Sequence, residues 1–580
     1  MSLPQPLLYV PTADEIVPAM HCIISKYNAI RIQILQTTTP STATFSNVIL
    51  PLVNVENAVQ GELAMIDMLQ YGSPSLETQG AFDEARKLYL KASALWVADE
   101  SFFRLLVAAR EKPEFQALDA ESKHWLEKEL LEYRHAGHGI LGHVELEEYQ
   151  KRNMEIAELE RKFQQNLARE AGGVWFTLEE LNGVPEDELA KWRDSPAEAN
   201  LTNEKHQQRK KFVPFANGGT LAVLTHAHSP QTRKRMFLED NVKLKENMPL
   251  FEDIIRRRAR QAQVLKYPSH AALRIERRMV KTTEWVKEFL RQLQATLCPY
   301  GREFFPLERT ATNMLGIFAS LLNLRFDSIP SEKLTRDVVW HDTVRVFSVW
   351  DTKEDAFVGT KYTRFHGYRL PPDFGETPSI MLENWCWMKD VLKGLSCHYT
   401  TLHRDYLADW RKQHPGEPDP PKEIPNDLVE NLIKYRYFNR GLYHLYQLST
   451  SIFDLQIHSL STDKEIADLD LHKLWYDLRE EIEGMDFSEC RNGFAFGTFA
   501  HLTAGYDVCY YAYLCCTAVA QDLFLSVFAR DPYNTDTWDK YRRGVLEHGG
   551  SQQNLMRMLE DFLGRPPNMN ALVEDLMRSR

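Results

Sequence analysis

At 580 residues, with 43% hydrophobic and 26% charged side chains, the chain has ordinary globular composition and enough apolar material for a sizeable core. A net charge of −12, with the basic residues scattered, excludes the basic face that nucleic acid requires. The eight cysteines form no C-x-x-C pair, and no charged segment followed by an apolar run opens the chain, so free thiols in a monomeric cytoplasmic protein are expected.

Residues 1–40 form a mixed N-terminal segment that runs into a Thr/Pro/Ser cluster at Thr37–Thr44, read as a loop. From Phe45 the pattern turns helical. Leu126, Leu130 and Tyr133 recur at i, i+4 and i+7, and Ile156, Leu159, Phe163 and Leu167 keep the same period. His135, His138 and His143 fall on a predicted helix, the first two one turn apart. No acid stands where a metal-site base would, so solvated or capping histidines are expected there, as for His226 and His228 beside Pro230. Thr177 and Glu180 make a capping box that would open a short helix, punctuated by Gly183 and Pro185. Lys210–Thr225 places Gly218-Gly219 between apolar runs, which suggests a small hairpin. Helices are predicted over Asn247–Ala262 and Thr282–Leu297. Arg336–Trp350, with Val338, Val344, Val346 and Val349, alternates as a strand would.

Tyr362–Trp387 begins as a loop, because Pro371, Pro372, Gly367 and Gly375 bar a regular helix. Thr377-Pro378 then opens a helix carrying Ile380, Met381, Leu382, Trp385 and Trp387, with Pro378 in the first turn where its missing N–H costs nothing. Glu376 and Glu383 are seven residues apart, so a helix reaching back to Glu376 would put both on one side. Such carboxylates cap helices or pair with basic neighbours unless they serve a site. Lys412–Pro425, with five prolines, is a surface loop. Cys509–Phe528 is apolar but interrupted by Gln521 and Asp522, a buried helix rather than a membrane span. With no internal repeat, the chain divides into residues 1–40, a helical lobe with a hairpin insertion over 41–330, and a catalytic-type region over 331–580.

The stretch YTRFHGYRLPPDFGETPSIMLENWCW resembles the segment of the thimet oligopeptidase and neurolysin family of zinc metallopeptidases that supplies the third zinc ligand, ARFHGT…DFVE-x-P-S-Q-MLENW. Asn47–Glu62, Leu118–Glu129, Val174–Leu189, Tyr267–Thr282, Val339–Asp351 and Phe499–Leu514 are similar to other family segments in the same order. The resemblance implies a mainly α fold of two helical lobes flanking a deep channel, with a minor β part and zinc on the channel floor, acting on short peptides. It puts Glu376 at the ligand carboxylate and Glu383 at the second glutamate. It also implies that His501, Tyr506 and Tyr513 face the substrate carbonyl, with Tyr510 beside them as a substrate contact. Positioned phenols suit that role, since they stabilise charge that appears only in the transition state.

Catalytic zinc needs three protein ligands, two of which this family takes from an H-E-x-x-H helix, with its glutamate as general base. This sequence contains no H-E-x-x-H; it passes from Trp350 through DTKEDAFVGTK into Tyr362, and a second shortening falls near Leu297–Phe305. Glu376 is the sole remaining ligand position, and one carboxylate does not hold zinc against water. Three readings follow. A zinc endopeptidase requires a segment that this sequence omits; a pseudopeptidase would bind peptides without cleaving them; a repurposed cavity would use Glu376, His501 and the tyrosines in metal-free acid–base chemistry.

Overall fold

The computed structural model describes residues 9–73, 75–195, 210–293, 322, 324–329, 347–351, 360–366, 369–436 and 440–578. Helices dominate, as the periodicities imply. Among the described residues the sheets are two antiparallel pairs, Gly173–Thr177 with Lys210–Pro214 and Leu324–Ser328 with Phe347–Asp351.

The first helix among the described residues is Ala13–Thr37, which packs on Leu50–Gly72 and Leu76–Ala98. Ile16, Ile23, Ile66 and Phe82 close their shared core. Glu100–Glu111 and Ala120–His135 form a second layer, in which the periodic Leu126, Leu130 and Tyr133 are fully buried with Phe102 and Val48. The largest core runs from Phe163 on helix His143–Ala168 to Leu576, and so crosses residue 330. Helix Asn247–Val264 lies against His143–Ala168, and helix Ala512–Leu523 is buried almost throughout. Among the described residues no helix is long and apolar enough to cross a membrane.

Several local expectations change. No hairpin forms at Gly218-Gly219: Lys210–Pro214 pairs back to Gly173–Thr177, with Trp175 opposite Phe212. Asn217 and Gly218 take left-handed φ of 54° and 83° and turn the chain into helix Gly219–His226. A Cβ on Gly219 would lie 2.1 Å from the Pro214 carbonyl oxygen, so that bend needs glycine. The run Leu221–Leu224 is continuous rather than alternating, a pattern that does not separate strand from helix. The Thr177–Glu180 box is made, with the Thr177 N–H donating to Glu180 at 2.7 Å, but it closes a turn; the helix starts at Glu186. Three histidines on one predicted helix become a helix end, a turn and a helix start: His135 finishes Ala120–His135, and His143 begins the next helix after Gly137 and Gly139 at positive φ. Of Arg336–Trp350 only Phe347–Trp350 lies within the described residues, in a strand; of Thr282–Leu297, Thr283–Gln292 is helical and 294–297 lie outside them.

Candidate functional site

The stretch beginning at Tyr362 joins two cores. Its first residues dock on the N-terminal helices: Tyr362 and Phe365 enter the core of Leu126 and Tyr133. The N–H groups of Lys361 and Tyr362 both donate to Glu121 at 3.0 Å, and the Tyr362 and Ser122 hydroxyls are 2.6 Å apart. The Arg364 guanidinium reaches Glu56 at 3.3 Å and Glu129 at 2.7 Å and lies over the Trp125 ring. Past residue 369 the chain enters the other core, where Phe374, Met381 and Trp385 are buried.

A short turn, Pro372–Gly375, leads through Glu376 into helix Thr377–Glu383, with Pro378 in its first turn as expected. The fully buried Asp373 fixes this turn. Its carboxylate accepts the Met279 and Val280 N–H groups at 2.9 and 3.1 Å and the Tyr511 hydroxyl at 3.0 Å. Glu376 is half-buried and Glu383 exposed. Burial, then the charge of Glu383, raises the Glu376 carboxyl above its ordinary range.

The facing wall is built by Phe499–Tyr513. A 3-10 turn over Ala500–Thr503 gives way to a loop in which Gly505 and Val508 take φ of 88° and 55°, before helix Ala512–Leu523. A β-branched residue at positive φ is strained and must be held from outside. Asp454 does this from helix Arg440–His458, accepting the N–H groups of Val508, Cys509 and Tyr510 at 2.9, 3.0 and 3.1 Å. The neighbouring Asp507 carboxylate is held by His270 at 2.7 Å and Arg274 at 2.9 Å. Arg258 ties the same loop through the Leu502 carbonyl at 2.8 Å.

These anchors bring together the four side chains singled out in the sequence. His501 lies 5.8, 5.4 and 6.1 Å from the rings of Tyr506, Tyr510 and Tyr513, and Tyr506 stacks on Tyr513 at 5.6 Å. Tyr510 is buried; the other three are half-buried. Burial, then the neighbouring Tyr513, pushes the Tyr506 phenol well up; burial likewise raises Tyr510 and Tyr513, with Glu376 adding to the rise in Tyr506 and Tyr513. Burial lowers His501. At neutral pH the cluster therefore offers protonated phenols and an uncharged imidazole beside a carboxyl group. That set can donate hydrogen bonds to a peptide carbonyl.

The described residues do not fit a catalytic zinc. Among the described residues no three His, Cys, Asp or Glu side chains are grouped to hold a metal. His366 Nε2 is engaged at 3.1 Å by the Thr360 carbonyl, His135 by Glu276 at 2.8 Å and His138 by the Val97 carbonyl at 2.8 Å. His143, His226 and His228 are exposed.

Sequence reasoning missed Asp373 and Asp454, the carboxylates that position both walls. Each is a lone acid among apolar neighbours, which was the available signal: a buried charge must have partners.

Residues 223–304 and 355–578 match Peptidase family M3. Saccharolysin of Saccharomyces cerevisiae is 25% identical over 92% of this chain and 89% of its own length, and oligopeptidase A of Escherichia coli is 21% identical over 92% of each. The saccharolysin alignment runs over 675 positions, more than the 580 residues of this chain, so that relative contains stretches with no counterpart here. Among solved structures, one titled PZ peptidase A with inhibitor 2 covers 99% of this chain and 97% of its own at a TM-score of 0.51. A Pyrococcus furiosus carboxypeptidase covers 97% and 98% at 0.50. At 10% and 11% identity these likenesses establish the fold alone. The family match, spanning more than half of the sequence and including both walls of the site, places this chain in Peptidase family M3.

Proposed function

We propose that this protein binds short peptides between the Glu376–Glu383 wall and the Tyr506–Tyr513 wall, in a channel between two helical lobes, without zinc-dependent hydrolysis. One observation carries the reading: Tyr506 and Tyr513 are gathered beside His501, while the sequence has no H-E-x-x-H to supply a metal pair and a base.

In this reading Tyr506 and Tyr513 donate to a peptide carbonyl, with His501 beside them and Tyr510 packed behind. Glu376 and Glu383 accept from peptide N–H groups or from basic side chains. Donors of that kind lower a hydrolytic barrier only when a nucleophile is generated nearby, and neither wall supplies one. Binding without turnover is therefore the expected behaviour. The working form is a monomer in the cytoplasm, checked by light scattering and cell fractionation.

Elemental analysis of purified protein, an assay with quenched-fluorescent peptides, and calorimetry with the same peptides test the proposal together. Substoichiometric zinc, no EDTA-sensitive cleavage and saturable peptide binding are expected. One-to-one zinc with EDTA-sensitive cleavage, or no binding at high micromolar peptide, would overturn it.

A further inference from the structure

Beside the tyrosine cluster lies a cavity of about 310 Å³, walled by Ile380, Trp387 and Tyr443 on its apolar side and by Arg436, Arg440 and Gln521 on its polar side, with Glu383 at its edge. Three features define what it takes. Arg436 is oriented: its guanidinium donates to Asn384 Oδ1 at 2.8 Å and lies 5.4 Å from the Trp387 ring centroid. Asn384 is 2% exposed and donates in turn to the Met381 carbonyl at 3.1 Å, so it does not move freely. Arg440 opens helix Arg440–His458 and lines the same cavity as Arg436. Two positive charges therefore stand along one wall. Gln521 is 1% exposed, and its side-chain Oε1 has no hydrogen-bond partner among the described residues. A buried acceptor left unmade is costly, so a donor completes it.

A ligand that answers all three features carries a carboxylate, an N–H close to it and an apolar side chain. Inorganic phosphate or sulfate would meet the arginines but leave Gln521 and the Ile380–Trp387–Tyr443 face unanswered. The end of a peptide meets each of them. We propose that this cavity is a specificity subsite that holds a carboxylate-bearing residue of a short peptide, with Arg436 and Arg440 on the carboxylate and Gln521 on the adjoining N–H. Tyr443 lies on helix Arg440–His458, which packs against helix Ala512–Leu523, whose first turn carries Tyr513. A peptide seated by its carboxylate would run from there past Tyr513. The inference rests on the peptide-binding reading above and adds a preference to it.

Calorimetry on the full chain with three versions of one apolar hexapeptide tests it: the free acid, the C-terminal amide, and the amide with one internal residue replaced by Glu. The free acid is expected to bind at least tenfold more tightly than the plain amide, as loss of a charge-assisted contact implies. If the Glu-bearing amide matches the free acid, the cavity takes a side-chain carboxylate; if it matches the plain amide, it takes the terminus. Arg440→Gln is expected to erase the difference between acid and amide, and Arg440→Lys to keep part of it, with unchanged thermal midpoints. Should either variant fold poorly, the comparison on the unsubstituted protein decides alone. Equal affinity for all three peptides overturns this inference and leaves the peptide-binding reading standing; binding of none overturns both.

Discussion

Replacing Asp454 by Asn tests whether one buried carboxylate holds the tyrosine wall. Asp454 is 1% exposed, and its two oxygens receive three backbone N–H groups: Val508 on Oδ1, Cys509 and Tyr510 on Oδ2. His458 Nδ1 also lies 2.9 Å from Oδ1. An amide of the same shape has one acceptor oxygen. Kept at the Oδ2 position it still serves Cys509 and Tyr510, but its NH2 then faces the Val508 N–H. Stranding that buried donor costs about 1–3 kcal/mol, and turning the two remaining charge-assisted bonds into neutral ones adds about 1 kcal/mol. The strain of Val508 at φ 55° is then released by opening rather than opposed. The loop should open more easily by about 2–4 kcal/mol, which is about 30- to 1000-fold faster amide exchange at 508–510 at about 1.4 kcal/mol per decade. Hydrogen–deuterium exchange read by mass spectrometry over 504–511, with 450–458 as an internal control, measures this directly. Exchange in that loop unchanged within threefold would refute the anchoring argument, as would equal acceleration everywhere, which signals global destabilisation.

Arg364→Ala leaves Glu56 and Glu129 facing each other without their shared cation, and should lower stability by about 3 kcal/mol in urea unfolding. The triple variant Arg364→Met, Glu56→Gln, Glu129→Gln should recover most of that loss; failure to recover would show that Arg364 acts through packing on Trp125 instead. Tyr506→Phe and Tyr513→Phe each remove one phenolic donor and should weaken peptide binding about fivefold while leaving the thermal midpoint unchanged. Unaltered affinity in both would place the peptide elsewhere. Glu376→Gln has a pH signature. Burial and Glu383 raise this carboxyl in the folded state, so its ionised form opposes folding. That penalty is absent below the unfolded carboxylate range, grows as pH rises through the folded pKa, and is fully present above it. The Gln variant should therefore melt at or above the unsubstituted protein at about pH 7 and lose that advantage towards about pH 4. A variant that melts lower at neutral pH contradicts the sign.

The sequence was most informative where one local rule determined the outcome. The i, i+4, i+7 spacing of Leu126, Leu130 and Tyr133 marked a buried face, and all three are buried. Pro378 marked a first turn, and it occupies one. The tyrosines were legible as a group because Tyr506, Tyr510 and Tyr513 crowd one stretch, and the fold does gather their rings around His501. What holds them there was not legible. Asp454 lies more than fifty positions before the amides it binds, Asp373 more than ninety positions after Met279, and no period in the sequence encodes such pairings. Lys210–Thr225 failed for a related reason. The partner of Lys210–Pro214 is Gly173–Thr177, on the far side of a long intervening segment, whereas a glycine pair suggested a partner next door.

The two walls of the site are positioned by anchors drawn from several distant helices. The tyrosine loop is held by Asp454, His270, Arg274 and Arg258, which lie on helices Arg440–His458, His270–Ile275 and Asn247–Val264. The Glu376 turn is held by Asp373 against Met279 and Val280, and by Tyr511 of the opposite wall. Tyr362–His366 is held by Glu121, Asn57, Glu56 and Glu129 of the N-terminal helices. Each of these supports lies outside 305–354, where the family match is interrupted. Asp373, which accepts from both Met279 and Tyr511, ties the two walls into one register. Each wall thus rests on a buried, hydrogen-bonded carboxylate, Asp454 for the tyrosine loop and Asp373 for the Glu376 turn.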